Sequence, residues 1–167
     1  MTELEVIRQA ILNEDEGAAF YYMAAAKTDD EVLKEAYTHL KDEELKHGSW
    51  LRSLYERISK QEDSSNLEWK TLGDVKGQSP RLFAQADTKF KMAITDMAVF
   101  SAGALMEEAS IEFYKKASAE TKSAKAKELY DILIKWENDH LHQLKIIHEA
   151  LMKDWLDQYE FTHSPKL

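Results

Sequence analysis

Residues 44–47 read Glu-Leu-Lys-His, and residues 137–140, which lie 93 positions further along the chain, read Glu-Asn-Asp-His. In both stretches a glutamate stands three residues before a histidine. A lone glutamate precedes each stretch by thirty residues, as Glu14 and Glu107. One acidic position and one Glu-x-x-His pattern therefore occur twice with the same internal spacing.

The similarity extends around these positions. Aligning residues 12–56 with residues 105–149 without a gap gives 15 identities in 45 positions. The shared residues include the pairs Phe20/Phe113, Tyr21/Tyr114, Tyr37/Tyr130 and Leu51/Leu144. We interpret the chain as a tandem repeat with halves at about 3–60 and 95–155, joined by a segment at about 61–94.

Each half has the features of two helices. The 167 residues contain only 5 Gly and 2 Pro, the residues least compatible with a helix interior. Apolar residues recur in steps of three and four along four segments, as on the buried face of a helix. Thr2 and Glu5 have capping-box spacing, so the first helix should begin near Glu3. Ser123 is the expected N-cap of the fourth helix, and the third should cover about 96–119.

The segment at about 61–94 is long enough to change the direction of the chain. A helix of about 28 residues is about 42 Å long, which some thirty extended residues can cover. The third helix would then run parallel to the second, and a pseudo-twofold axis would relate the two hairpins. We predict one all-α domain over residues 1–167, a four-helix bundle with a long crossover between helices two and three.

In such a bundle the two repeated patterns meet at mid-height. Four carboxylates on apolar stripes would be costly as bare charges. Two divalent cations would balance them, and neutral imidazoles would complete the coordination. Glu44 and Glu137 would bridge the two ions, and each histidine would close one of them. The predicted ligands of this dinuclear centre are Glu14, Glu44, His47, Glu107, Glu137 and His140.

Several neighbouring side chains allow a structural or a functional interpretation. Tyr21 and Tyr114 lie two turns after the lone glutamates, and core packing alone explains them adequately. Alternatively, their hydroxyls bond a ligand carboxylate or take part in oxidation. We expect Glu43 to point away from the centre and Trp136 to serve in packing.

Charge and composition exclude other classes of function. The net charge of −9 argues against nucleic-acid binding, which needs a basic face. The absence of cysteine rules out disulfides, thiol catalysis and iron–sulfur sites in this sequence. The acidic start carries no apolar leader, and the stretch 97–106 is too short to cross a bilayer. We therefore expect a cytoplasmic protein without membrane partners.

Residues 107–114, Glu-Glu-Ala-Ser-Ile-Glu-Phe-Tyr, and 137–140 resemble the rubrerythrin branch of the ferritin-like superfamily. The resemblance covers both hairpins. It implies a non-haem di-iron centre that reacts with peroxide or dioxygen, with the four glutamates and two histidines as ligands. Manganese fits the same ligands, and zinc could replace iron in preparations.

Two departures from that family pattern bear on function. Typical rubrerythrins append a cysteine-ligated rubredoxin domain, so here electrons would come from a separate donor protein such as a rubredoxin. Rubrerythrins also carry an additional glutamate one turn after the helix-three glutamate. Here that position is Ser110, and its repeat partner is Gly17. These small residues could leave room for a small oxidant beside the metals.

The sequence thus predicts a di-iron redox protein that reduces hydrogen peroxide or dioxygen. One alternative is a ferroxidase for iron storage or detoxification, and another is a metal-binding bundle without turnover. We expect a homodimer or a higher homo-oligomer.

Overall fold

The computed structural model describes residues 2–60 and 94–163, so the predicted crossover lies almost wholly outside the described residues. The described chain forms four helices: α1 (Glu3–Lys27), α2 (Glu31–Ser59), α3 (Ile94–Glu120) and α4 (Ala124–His163). They form a four-helix bundle of the ferritin-like type, which confirms the predicted fold class.

Local capping determines where these helices begin. The Thr2 side chain accepts a hydrogen bond from the Glu5 backbone N–H, and the Glu5 carboxylate accepts one from the Thr2 backbone N–H. Asp30 caps α2 by accepting from two backbone N–H groups of the first turn. Ser123 accepts from the backbone N–H of Ala126 at the start of α4. Each cap satisfies N–H groups that the helix itself leaves unpaired.

Two apolar clusters fill the bundle, one toward each end. The first core contains Val6, Ile7, Ala10, Trp50, Leu51, Leu54, Tyr114, Ala126, Leu129, Tyr130, Leu133 and Trp136. The second core contains Tyr21, Ala24, Leu33, Ala36, Tyr37, Leu40, Phe100, Leu144, Ile147 and Leu151. The C-terminal halves of α2 and α3 both enter the first core, so these two helices run parallel, as the predicted crossover requires.

The pseudo-twofold relation appears in where repeated residues lie. Leu51 and Leu144 occupy equivalent positions in the repeat, but Leu51 lies in the first core and Leu144 in the second. Both are buried, as a twofold axis across the middle of the bundle demands. The Glu-x-x-His patterns lie between the two cores along α2 and α4. The fold therefore places them at the same height.

Charged residues lie on the outer faces of the bundle, so the mean hydropathy of each helix is low. Within residues 2–60 and 94–163, no helix is apolar over a length that could cross a bilayer.

Candidate metal centre

All six predicted ligands lie at the level between the two cores. The four glutamates and His140 are almost completely buried, with exposures of 1–4%. The His47 side chain retains 15% exposure. Carboxylates and imidazoles are rarely buried at this depth unless a partner or a metal ion compensates their desolvation.

The imidazole of His140 lies among three of the carboxylates. Its Nδ1 atom is 3.3 Å from Glu44 Oε1, 3.7 Å from Glu137 Oε2 and 3.8 Å from Glu107 Oε2. The second imidazole, His47, has its Nδ1 3.2 Å from Glu14 Oε2. Each histidine thus lies beside the lone glutamate of its own hairpin.

Two groups of ligand atoms are close enough to hold metal ions. Glu44, His47 and His140 offer atoms that all lie within 4.8 Å of one another, and so do Glu107, Glu137 and His140. The two groups share one histidine, so they are adjacent. Glu14 reaches the first group through its contact with His47.

Two buried atoms in this cluster favour the binding of a cation. Among the described residues, His140 Nδ1 and Glu14 Oε1 are shielded from solvent and have no hydrogen-bond partner. A buried polar atom left unpaired costs about 1–3 kcal/mol. Coordination would satisfy both atoms, and a carboxylate–imidazole set suits iron, manganese or zinc. The residues present therefore fit a pair of divalent cations.

Protons compensate part of the negative charge in the metal-free site. Burial, reinforced by the charge of Glu137, raises the pKa of Glu14 to about 8. Burial likewise raises the pKa of Glu44 and of Glu137 well above the ordinary range. Burial alone would lower the pKa of His140, but the charge of Glu44 outweighs it and the pKa is raised. Protons and metal ions would therefore compete for the same atoms.

The second histidine behaves differently. Burial lowers the pKa of His47 to about 4, and the charge of His140 acts in the same direction. His47 is therefore a neutral imidazole at physiological pH. A neutral ring can offer a nitrogen lone pair to a metal without first losing a proton.

The two candidate tyrosines take different roles. The Tyr21 hydroxyl donates a 2.5 Å hydrogen bond to Glu107 Oε1, so it contacts a predicted ligand of the other hairpin. The Tyr114 hydroxyl accepts a 3.4 Å hydrogen bond from Asn13 Nδ2 at a partly buried position. For Tyr21 the structure favours the interpretation as a ligand-bonding hydroxyl. Tyr114 belongs to the first core and adds a polar contact there.

The small residues in place of the expected additional glutamate also differ from each other. A Cβ atom added to Gly17 would lie 2.8 Å from Glu44 Oε1. The space beside Gly17 is thus taken by the carboxylate of Glu44, and the prediction that it leaves room for an oxidant is wrong at this position. Ser110 lines a shallow surface groove between α1 and α3, together with Asn13 and Phe113.

Comparison with known proteins agrees with this geometry. A family model described as Rubrerythrin matches residues 5–147. The chain belongs to the rubrerythrin family. Membership of the rubrerythrin family implies di-iron binding, and the two carboxylate–histidine groups are the atoms that could provide it. No curated protein and no solved structure matched the chain.

Glu43 is a residue of the site that sequence reasoning missed in this rubrerythrin-family protein. Its prediction to point away is wrong, because the residue is only 9% exposed and its Oε2 lies 3.6 Å from His140 Nε2. Gln143 Nε2 donates to the same oxygen at 3.3 Å, and His39 Nε2 lies 3.4 Å from it. Burial would raise the pKa of Glu43, but the nearby imidazole of His140 outweighs it and lowers the pKa to about 2.

Trp136 serves in packing, as predicted, but one of its partners is a predicted ligand. Its ring lies flat on the imidazole of His47, with centroids 3.9 Å apart and an angle of 2° between the planes. A one-residue step along a helix turns the side chain by about 100°. Positions 43 and 136 therefore lie off the apolar stripe that carries the neighbouring ligands, and the periodicity of that stripe could not predict that they contact a histidine. In the sequence, the 93-residue offset relates the two positions to each other.

Proposed function

We propose that this protein is a di-iron oxidoreductase that reduces hydrogen peroxide or dioxygen in the cytoplasm. The observation that supports it most is the buried cluster around His140 Nδ1, an atom that faces three carboxylates and has no hydrogen-bond partner within residues 2–60 and 94–163. Such an arrangement is costly for a chain that only packs, and it suits a chain that binds cations.

The proposed roles follow the geometry. Glu44 and Glu137, one from each hairpin, would each contribute a carboxylate to the two iron ions. Glu14 with His47, and Glu107 with His140, would complete the two positions. The bound metals would supply two electrons to the oxygen–oxygen bond. Reduction of hydrogen peroxide to two water molecules also takes up two protons.

Hydrogen bonding within the chain would keep this arrangement in place. Tyr21 Oη donates to Glu107 Oε1 and so holds that carboxylate in one orientation. The close approach of Gly17 lets the Glu44 carboxylate lie against the backbone of α1. Both contacts join α1 to a ligand on another helix. They would fix ligand positions before a metal or an oxidant arrives.

The proposal also includes an electron donor, a small oxidant and a second copy of the chain. The 167 residues contain no cysteine that could hold a rubredoxin-type iron, and we propose that a redox protein such as a rubredoxin delivers the electrons. We propose that a small oxidant approaches through the surface groove that Ser110 lines. We expect a homodimer or a higher homo-oligomer. With a net charge of −9, neither nucleic acid nor an anionic membrane surface is an expected partner.

A second candidate function is iron oxidation for storage or detoxification. Gly17 and Ser110 favour it, because without an additional glutamate the site resembles the simpler ferroxidase centres of bacterioferritins. Storage requires a hollow shell of many subunits. A monomer or dimer on a sizing column would therefore count against storage and favour the redox enzyme.

The test combines metal identity with turnover. Metal analysis of protein purified from its own source should find two iron ions per chain, whereas manganese or zinc in their place would change the assigned metal. Adding hydrogen peroxide to the ferrous protein should produce a ferric absorbance change, and reduced rubredoxin should then be consumed continuously. His140→Ala is the matched control that should lose both signals. A ferrous protein that does not respond to peroxide or dioxygen would overturn the proposal.

A further inference from the structure

The residue that precedes each bridging glutamate packs on the histidine of the opposite hairpin. Position 43 precedes Glu44 and contacts His140, and position 136 precedes Glu137 and contacts His47. The two positions are equivalent in the repeat, because they differ by 93. The first is a glutamate and the second a tryptophan. Equivalent ligands are therefore supported by chemically different neighbours.

At His140 the neighbour is an anion on the far edge of the ring. Glu43 Oε2 lies 3.6 Å from Nε2, while Nδ1 faces the carboxylates of the site. Gln143 Nε2 donates to the same Glu43 oxygen and restricts its position. A carboxylate at this place favours the tautomer with the proton on Nε2, leaves the Nδ1 lone pair for a metal, and makes the ligand more basic.

At His47 the neighbour is an aromatic face. Trp136 covers the plane of the imidazole at 3.9 Å and fixes the tilt of the ring. The face of an indole ring has no atom that accepts a hydrogen bond from an imidazole N–H. Trp136 therefore does not make His47 a more basic metal ligand, as a carboxylate would. The His47 side chain is also more exposed than that of His140, at 15% against 2%. The second position is therefore held in orientation but is less enclosed.

We propose that Glu43 and Trp136 make the two metal positions unequal. The position closed by His140, with Glu107 and Glu137, takes a divalent cation first and holds it more tightly. The position closed by His47 and Glu14 fills second and exchanges its ion more readily. Glu43 and Trp136 are positioning residues, since each acts through a histidine. This inference rests on the proposed dinuclear centre.

The order of filling can be measured with Co²⁺, which reports its coordination by visible absorbance. Titration of the metal-free full chain should show two steps, the first tighter than the second. His140→Ala should remove the tight step, and His47→Ala should keep it and remove the weaker one. If the parent binds fewer than two ions, both the proposed function and this inference fail. If it binds two ions with equal affinity, only this inference fails.

The supporting residues are tested by two matched variants. Glu43→Gln keeps the shape of the side chain and removes its charge, so the tight step should weaken by about 10- to 100-fold while the second step stays unchanged. Trp136→Phe keeps an aromatic ring and should leave the tight step unchanged. Thermal melting of both metal-free variants verifies that they fold. Equal weakening of both steps by Glu43→Gln, or no weakening, would overturn the proposal.

A spectroscopic measurement separates positioning from general packing. In the Zn²⁺-loaded protein, ¹⁵N–¹H spectra of the imidazoles should show a long-lived proton on His140 Nε2, shifted downfield by its carboxylate partner. Glu43→Gln should move that proton upfield and leave the His47 resonances in place. An unchanged His140 resonance would show that Glu43 only fills space, which contradicts the proposed role.

Discussion

Glu14 and Glu107 hold the same position in the two halves of the repeat, yet their surroundings differ. Burial raises the pKa of Glu14 to about 8, and its Oε1 lacks a partner among the described residues. Burial would raise the pKa of Glu107 as well, but the nearby imidazole of His140 and the hydrogen bond from Tyr21 outweigh it and the pKa is lowered. The residue type is duplicated, and the electrostatic environment is not.

The same contrast recurs around the site. The Gly17 position repeats as Ser110, and the Glu43 position repeats as Trp136. The six predicted ligands are thus preserved across the two halves, while the residues that touch them have diverged. The repeated hairpin places the same ligands in both halves of the bundle. Because the residues that contact these ligands differ between the halves, each metal position can have its own metal affinity and its own ligand pKa values.

The largest expected effect comes from the two bridging positions, where the halves should behave alike. Glu44→Ala and Glu137→Ala should each abolish the paired metal centre and the ferric absorbance change on adding peroxide. Each also removes a buried carboxylate, so the metal-free variants should be at least as stable as the parent. Metal stoichiometry and melting curves of the metal-free proteins measure both effects. One variant that retains a pair of metals would break the equivalence of the two bridges.

The next effect should separate the scaffold from the site. Leu51→Ala and Leu144→Ala each leave a cavity at a fully buried position, with 0% and 1% exposure. Each should lower the free energy of unfolding by about 2–5 kcal/mol while both metals still bind. Denaturant unfolding of the metal-free variants gives the cost. A loss below about 1 kcal/mol in one variant only would show that the two cores are packed unequally.

A smaller effect should distinguish Gly17 from its repeat partner. Gly17→Ala introduces a Cβ that would lie 2.8 Å from Glu44 Oε1, so the ligand carboxylate must shift. Metal affinity should fall by about ten-fold or more, as for other changes beside a ligand. Helix propensity meanwhile favours alanine by about 1 kcal/mol, so unfolding would not explain the loss. Ser110→Ala is the control and should bind metal normally in a Co²⁺ titration.

The smallest effect concerns the pH dependence of the metal-free protein. A carboxyl whose folded pKa is raised stabilises the fold at low pH and loses that contribution as pH rises through the folded value. For Glu14 this window runs from the ordinary value of 4.5 to about 8. The lowered pKa of His47 acts in the opposite direction below pH 6.5, but the raised pKa values of Glu44, Glu137 and His140 act in the same direction as that of Glu14. Acidification from pH 8 to pH 6 should therefore stabilise the metal-free fold and raise its melting temperature.

Paired variants assign that pH effect to one half of the repeat. Glu14→Gln should reduce the pH dependence of the melting temperature between pH 6 and pH 8, leaving the part that Glu44, Glu137 and His140 contribute. Glu107→Gln should leave it, because the pKa of Glu107 lies below that range. The metal-loaded protein should respond in the opposite sense, since protons compete with metals for the ligands. Identical pH responses of the metal-free and metal-loaded forms would contradict the electrostatic contrast between the halves.

The sequence by itself determined the helices, their starts and the six residues at the centre. Caps such as Thr2 and Ser123 are local interactions between residues three apart, so they can be predicted without a fold. The apolar stripes indicate which face of each helix is buried. The 93-residue offset relates the two sets of one glutamate and one Glu-x-x-His that lie far apart in the sequence. The pseudo-twofold bundle follows from these patterns because few arrangements bury all four stripes at once.

Only the tertiary structure decided what surrounds each ligand. Glu43 is adjacent to Glu44 in sequence, but its partners His140 and Gln143 lie on α4, and the contact depends on how α2 and α4 are rotated and aligned along their axes. The same holds for the contact between Gly17 and Glu44. Periodicity gives the face of a helix to within about one residue step, about 100° of rotation. Hydrogen bonds between helices are decided by a few tenths of an ångström, and such precision arises only when the helices pack together.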